Sequence, residues 1–175
     1  MTEPQLIQAP TPVRRRLPRA IGAGAGLLAA ALLLGIAGGA VWGFARPAFV
    51  IEVVDGVAIV DQDASSPNAA FAGVGWFCLA AAVIGAVLAA VAWAQARRGK
   101  ARGGPLYLLW LAVCGVAATF AALATGDVAA GLLHRSDPSR VAPPVTEPVV
   151  WLVAPFIAAF TFWIRSVMAY AAEGR

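Results

Sequence analysis

The sequence has few of the side chains that carry most enzyme and metal chemistry. Charged residues make up only 13% of its 175 residues, and it contains a single histidine and two cysteines. One histidine excludes a haem held by two histidine ligands of the same chain, and no ligand spacing typical of a zinc site is present. The cysteines, Cys78 and Cys114, lie in apolar stretches and form no Cys-x-x-Cys pair. We therefore expect no metal, no cofactor and no enzymatic activity.

Long apolar stretches dominate the chain instead. Apolar residues make up 61% of it and the mean hydropathy is +0.78, whereas about half of the residues of a soluble domain are apolar. Four stretches exceed the ~18 residues that identify a spanning helix, at 21–44, 70–95, 106–130 and 149–170. Because lipid offers the backbone no hydrogen-bond partners and these stretches are too long for barrel strands, they predict helices. The predicted fold is an all-α integral membrane protein, an antiparallel four-helix transmembrane bundle.

Basic residues collect on one side of this predicted bundle. Ten of the 13 lie before the first stretch, between the second and third, or at the end of the fourth. These ten are Arg14, Arg15, Arg16, Arg19, Arg97, Arg98, Lys100, Arg102, Arg165 and Arg175. Since cytoplasmic loops carry the excess of lysine and arginine, both termini are predicted to face the cytoplasm from the inner (plasma) membrane. Nucleic-acid binding is not expected, because the basic residues flank apolar stretches and lack interleaved aromatic side chains.

Two regions follow from this topology. Residues 1–19 are rich in proline and are predicted to form a disordered basic cytoplasmic tail. Residues 20–175 are predicted to form a single transmembrane domain, with external loops at 45–69 and 134–148 and a cytoplasmic loop at 96–105.

A cleaved signal peptide is the alternative for the first stretch. Its ~20 apolar residues exceed the usual length of about 7–15 for a signal core, so we expect a retained membrane anchor.

The first external loop predicts a short β-hairpin between helices 1 and 2. Asp55-Gly56 separates two β-branched runs, which is a strong signal for a two-residue turn. The predicted register gives the hairpin one mostly apolar face, made of Phe49, Ile51, Val53, Ala58 and Val60. An isolated hairpin is marginally stable in water, so this face needs a covering surface. It is either a lid on the protein's own helices or a contact with a partner.

Small residues recur four positions apart within three of the apolar stretches. They are Gly22 and Gly26, Gly35 and Gly39, then Ala81, Gly85 and Ala89, then Ala118, Ala122, Gly126 and Ala130. This spacing lets helix backbones approach closely, and such packing drives helix association in lipid. The pattern is compatible with packing inside one bundle and with a face that contacts another subunit or a second copy.

Asp127 is the best candidate for a functional polar residue. If helix 3 continues past it, the carboxylate lies below the outer rim, with His134 two turns further on and Arg46 nearby. Ionisable groups within a membrane are costly and often functional, so this trio is a candidate site for a proton or a cation. The alternative, which we favour, is that helix 3 ends near Gly126 and leaves Asp127 in the headgroup layer.

Interface and turn residues also support a resemblance over most of the chain after Arg14. They are Gly39-Ala40-Val41-Trp42, Arg46-Pro47, Gly56-Val57, Trp93 with Arg97-Arg98, Gly104-Pro105 and Ala154-Pro155. With these residues the chain resembles a family of small actinobacterial four-pass membrane proteins that is classed only as a domain of unknown function. The resemblance implies a four-span topology and an actinobacterial envelope setting. It implies no catalytic residues.

These observations favour a non-enzymatic accessory or scaffold subunit of a larger membrane assembly. Its expected partners are the lipid bilayer and either another membrane protein or further copies of the chain, contacted through the small-residue helix faces and the hairpin. The alternative is a small oligomeric transporter or channel with Asp127 near its outer mouth. Scarce polar chemistry and the absence of charge near the middle of any stretch favour the first.

Single-cysteine labelling tests the predicted topology. In a Cys78→Ala, Cys114→Ala background, Gln62→Cys is expected to react with a membrane-impermeant maleimide in intact cells. Thr2→Cys and Gly103→Cys are expected to react only after the inner membrane is opened, because the basic segments face the cytoplasm. Labelling of these last two positions on opposite sides would contradict the four-span arrangement.

Overall fold

Four long helices and three short strands form the structure, a computed structural model that describes residues 19–54, 57–65, 68–99, 104–133, 135 and 139–173. The elements are α1 Arg19–Ala45, β1 Phe49–Val54, β2 Val57–Asp61, α2 Ala69–Arg97, α3 Pro105–Leu133, β3 Arg140–Val141 and α4 Val150–Glu173. Of the predicted tail at 1–19, all but Arg19 lies outside the described residues, and α1 begins at Arg19.

All four helices are long and apolar enough to cross a membrane, as predicted. The apolar spans are Ile21–Ala45, Phe71–Arg97, Pro105–Leu133 and Val150–Ala172, and they contain between 23 and 29 residues. Large apolar side chains such as Val41, Phe71, Leu106 and Leu152 are exposed on the outside of the bundle. Soluble monomers rarely expose apolar surface on this scale, so it is the surface expected of helices that lie in lipid.

Consecutive helices run in opposite directions, but the largest interfaces join α1 to α3 and α2 to α4, which run parallel. The α1–α3 interface is built from three successive pairs, Gly35 with Ala118, Gly39 with Ala122, and Gly43 with Gly126. The short connection between α2 and α3 predicts that these two are close neighbours, yet their contact is small. Small-residue faces rather than loop length decide which helices share the most surface.

The α1–α3 backbones approach so closely that no side chain fits between them. A Cβ atom on Gly39 would collide with the backbone carbonyl of Ala122, and one on Gly35 would collide with that of Ala118. This ladder therefore packs inside one bundle, which was one of the two interpretations of the small-residue pattern. Gly22 differs, because nothing lies within 4 Å of its Cβ position.

Two further close contacts position α4. Gly85 on α2 lies against the backbone of Ala154, and Gly115 on α3 lies against the ring and backbone of Pro155. The buried apolar side chains form two clusters along the bundle. One is centred on Leu27, Leu88, Leu111 and Phe162, and the other on Trp42, Phe77 and Val150. The second cluster lies at the sheet end, by which we mean the end where α1 and α3 finish and α2 and α4 begin.

The hairpin forms in the predicted register but belongs to a sheet of three strands. Ile51 pairs with Val60 and Val53 with Ala58, as expected, while the turn residues 55 and 56 lie outside the described residues. The strand order is β2-β1-β3, and Phe49 pairs with Val141 of β3. The sequence predicts no strand at β3, because two residues in a proline-rich loop carry no alternating pattern. The sheet thus ties the α1–α2 connection to the α3–α4 connection.

The apolar hairpin face is only partly covered. Phe49 and Ile51 on the central strand are half-buried, whereas Val60 on β2 is exposed. The side chains of Val53 and Ala58 lie outside the described residues. Of the described residues of this face, those on the central strand are therefore half-buried and Val60 on β2 is exposed.

A matched pair of substitutions tests the α1–α3 interface. Gly39→Ala is expected to lower the free energy of unfolding by about 1–3 kcal/mol, because the added methyl group forces the two backbones apart. Gly22→Ala is the control and is expected not to lower it, because nothing lies within 4 Å of its Cβ position and alanine is the better helix former by up to about 1 kcal/mol. Denaturation in detergent, followed by far-UV circular dichroism, measures both. Equal stability of the two variants would contradict the close approach.

Candidate functional site

An ion pair joins α1 to α3 at the sheet end of the bundle. Arg46 is the first residue after α1, and its Nη1 donates a hydrogen bond to Oδ1 of Asp127 over 2.8 Å. The two side chains differ sharply in environment, since that of Arg46 is 2% exposed and that of Asp127 is 67% exposed. The cation is therefore inside the protein, while most of its counter-charge faces the surroundings.

The buried guanidinium of Arg46 packs on the face of the Trp42 ring. The guanidinium carbon of Arg46 lies 4.6 Å from the centroid of the Trp42 ring, one helical turn earlier on α1. A cation placed over an indole face is attracted by the electrons of the ring, and more so where water is excluded. This contact was not predicted from the sequence, although an arginine four residues after a tryptophan at a helix end is a pattern that favours it.

Two other helices, α2 and α3, hold the Trp42 ring in place. Its Nε1 donates to the carbonyl oxygen of Gly73 on α2 over 3.0 Å, and Phe77 packs against it edge-on with 4.9 Å between ring centroids. On α3, the absence of a side chain at Gly126 makes room for the ring. These contacts fix the indole independently of the guanidinium. Gly126 both allows α1 and α3 to approach closely and leaves space for the Trp42 ring.

Asp127 lies within a helix, so the prediction that helix 3 ends near Gly126 was wrong. The structure continues α3 beyond Gly126 as far as Leu133. Asp is a mediocre helix former, at a cost of less than ~1 kcal/mol, and tertiary packing outweighs that cost. Ala129 and Ala130 are buried, and Ala129 faces Gly43 of α1. Packing against α1 therefore stabilises the helical conformation of the residues that follow Asp127.

The structure brings together two of the three residues proposed as a polar site. Arg46 and Asp127 are in direct contact. The third, His134, lies outside the described residues, and the neighbouring Arg135 is exposed. Elsewhere in the described chain, Cys78 and Cys114 are free thiols.

Two nitrogens of Arg46 have no hydrogen-bond partner among the residues that the structure describes. Nε and Nη2 are buried, and no acceptor of the described residues reaches either of them. An unpaired buried donor costs about 1–3 kcal/mol, and a charged one costs more. Nε and Nη2 form the side edge of the guanidinium, whose two parallel N–H groups match a pair of oxygen atoms. Their burial therefore carries a free-energy cost that no acceptor of the described residues offsets.

Ser65 links the sheet to this end of the bundle. Its side chain is buried and its Oγ accepts a hydrogen bond from the backbone N–H of Val50 over 3.0 Å. Val50 lies on β1, four residues after Arg46, and Ser65 precedes α2. The bond fixes the start of the sheet relative to the segment that enters α2.

No protein-family model, no curated protein and no solved structure matches the chain. The resemblance to small actinobacterial four-pass membrane proteins therefore stays a prediction.

The unequal burial of the ion pair predicts an unequal response to removing each partner. Asp127→Ala is expected to lower the free energy of unfolding by about 3 kcal/mol, because it leaves a buried cation without its counter-charge. Arg46→Met is expected to cost less than about 1.5 kcal/mol, since the side chain keeps its volume over Trp42 and the remaining carboxylate is solvated. Chemical denaturation of both variants in one detergent measures the difference. A larger loss for Arg46→Met would contradict the burial of the guanidinium.

Proposed function

We propose that the protein is a non-enzymatic accessory or scaffold subunit of a larger assembly in the plasma membrane, with both termini in the cytoplasm. Four helices suited to lipid and a single described ion pair inside the bundle support a structural role over catalysis. The orientation rests on the distribution of basic residues. The observation that carries the proposal is the free outer edge of the three-stranded sheet.

Strand β2 presents both backbone groups and apolar side chains to the outside. In the order β2-β1-β3, no described strand lies beyond β2. The Ile51 N–H donates toward β3, to the carbonyl oxygen of Ser139. Since backbone groups alternate in direction along a strand, Ile51 and its partner Val60 form a pair without mutual hydrogen bonds. The N–H and C=O of Val60 therefore point away from β1, toward any strand that adds to this edge.

The side chains of β2 support the same proposal. Val57, Ile59 and Val60 are 60%, 50% and 42% exposed. Edge strands are usually protected by charged side chains, proline or a bulge, and in β2 the one charged residue is Asp61 at its end. The apolar edge from Val57 to Val60 is a surface that a partner can extend by adding a strand, with backbone hydrogen bonds for affinity and side-chain contacts for specificity.

The helix faces offer less for a partner than the sequence pattern indicates. The ladder from Gly35 to Gly43 and the close contacts at Gly85 and Gly115 are used inside the bundle. Among the glycine pairs spaced four apart on α1, Gly22 and Gly26 stay open, with only Gln95 approaching Gly26 at 3.9 Å. We therefore place the main partner contact on β2 and a secondary helix contact at this pair.

An oligomeric transporter or channel is the second candidate. The observation that favours it is the exposed carboxylate of Asp127, held at the sheet end by a buried arginine. The two candidates differ in what accompanies the chain on purification, which is a different protein for a scaffold and further copies of the chain for a channel.

A proline on the free edge tests strand addition. Val60→Pro removes the outward N–H and is compatible with an edge strand, so the β1–β2 pairing is expected to survive. In a mild-detergent purification, wild-type protein is expected to retain a stoichiometric membrane partner and Val60→Pro to lose most of it. Val60→Thr is the matched control, because it keeps the N–H and the branched side chain and is expected to retain the partner.

Three outcomes would count against the proposal. Equal recovery of the partner with Val60→Pro would exclude strand addition at β2. Purification of the wild-type chain as a lone monomer would contradict the scaffold role, and recovery of copies of the chain alone would favour the oligomeric channel.

A further inference from the structure

We propose that Arg97 of α2 and Arg165 of α4 together bind the headgroup of one anionic phospholipid. Both side chains are exposed, so a headgroup oxygen can reach either guanidinium from outside the bundle. Neither guanidinium has a hydrogen-bond or ion-pair partner among the residues that the structure describes. The two arginines lie at the basic end of the bundle, by which we mean the end where α2 and α4 finish.

A ring contact between α2 and α4 sets the level of the two arginines. Trp93 packs edge-on against Phe162, with 6.1 Å between the ring centroids. Arg97 follows Trp93 by four residues, and Arg165 follows Phe162 by three. Residues three or four apart lie on one face of a helix. Both arginines are therefore placed about one turn beyond the ring contact, on the sides by which the two helices meet.

A second contact between these helices gives the same placement for Arg165. Gly85 of α2 lies against Ala154 and Ala158 of α4. Arg165 follows Ala158 by seven residues, which is about two turns further along the same face. Arg165 thus extends the α2-facing side of α4 to a level at which it is exposed.

The position of Arg165 along α4 favours a lipid phosphate as the acceptor. The apolar span Val150–Ala172 continues for seven residues beyond it, about 10 Å of helix. An exposed cation inside such a span is costly in lipid, and arginine lowers the cost by extending its stem toward the interface and by drawing headgroups and water inward. Trp163, which is 51% exposed, has the amphipathic ring that favours the headgroup level.

The surrounding charges favour an anionic headgroup over a zwitterionic one. The acidic residues of the described chain lie at the sheet end, except Glu173, which follows Arg165 by eight residues at the end of α4. Arg98, directly after Arg97, is exposed and adds a further positive charge. An anionic headgroup neutralises this excess, whereas the positive group of a zwitterionic headgroup is repelled by it.

The proposal is independent of the scaffold role. It requires no partner protein, and it concerns the opposite end of the bundle from β2. The two are tested by different variants and different measurements, so the failure of one leaves the other standing.

The test uses the full chain, purified in a neutral detergent and stripped of lipid. Its thermal midpoint is followed as lipid is added, because a ligand that binds the folded state raises the midpoint and the concentration dependence gives an apparent affinity. The wild type is expected to bind phosphatidylglycerol at least about tenfold more tightly than phosphatidylcholine, which carries a phosphate but no net charge.

Arg165→Gln and Arg97→Gln are the test variants, and Arg98→Gln is the control because it removes the same charge. Arg98 follows Gln95 by three residues, and Gln95 approaches Gly26 of α1, so Arg98 lies on the α1 side of α2. The apparent affinity for phosphatidylglycerol is expected to fall at least about tenfold in each test variant, in line with the loss of one charge-assisted hydrogen bond. In the control it is expected to fall less than about threefold, because exposed charges outside the site are screened.

The three substitutions remove no side-chain contact of the described residues, so the helical content by far-UV circular dichroism is expected to match that of the wild type. Equal losses in Arg165→Gln and Arg98→Gln would show a response to net charge alone and would overturn the proposal. An unchanged affinity in Arg97→Gln would exclude a shared site. Equal affinity of the wild type for the two lipids would also contradict it, as would equal stabilisation by inorganic phosphate, measured against chloride at the same ionic strength.

Discussion

The approach of α1 to α3 through three glycines controls the rest of the structure. Gly35, Gly39 and Gly43 remove the side chains that would keep the two helices apart, and the backbones meet. That approach sets Arg46 beside Asp127 and lets the Trp42 ring enter the space over Gly126. In lipid, where apolar side chains gain nothing by leaving their surroundings, such packing is the main source of helix association. The polar pair is therefore a consequence of small residues elsewhere on the same two helices.

Features that depend on local sequence were predicted well. The helices follow from the length of the apolar stretches, and each observed helix end lies within three residues of the end of its stretch. The hairpin register follows from Asp55-Gly56, because a two-residue turn leaves one pairing. Features that depend on distant contacts were not predicted. Strand β3 exists because its two residues meet β1, and α3 passes Gly126 because Ala129 packs against α1.

For the candidate site, the sequence identifies the two charged residues but not their unequal burial. Arg46 and Asp127 attract notice in the sequence as charges next to apolar stretches. Their contact, and the burial of one but not the other, depend on how α1 and α3 pack and on what lies over the end of α1. No pattern in either helix alone carries that information, and the support that Trp42 gives to the guanidinium is set by Gly73, Phe77 and Gly126 on two other helices.

Strand β3 also has a consequence for biosynthesis. It is the last strand in the chain and is placed after α3, so the ribosome has already made β1, β2 and three helices when Arg140 and Val141 are synthesised. Until then the β1–β2 hairpin has no third strand and is only marginally stable by itself. The sheet is completed after the third helix has been made, and its closure marks a late step in the maturation of the nascent chain.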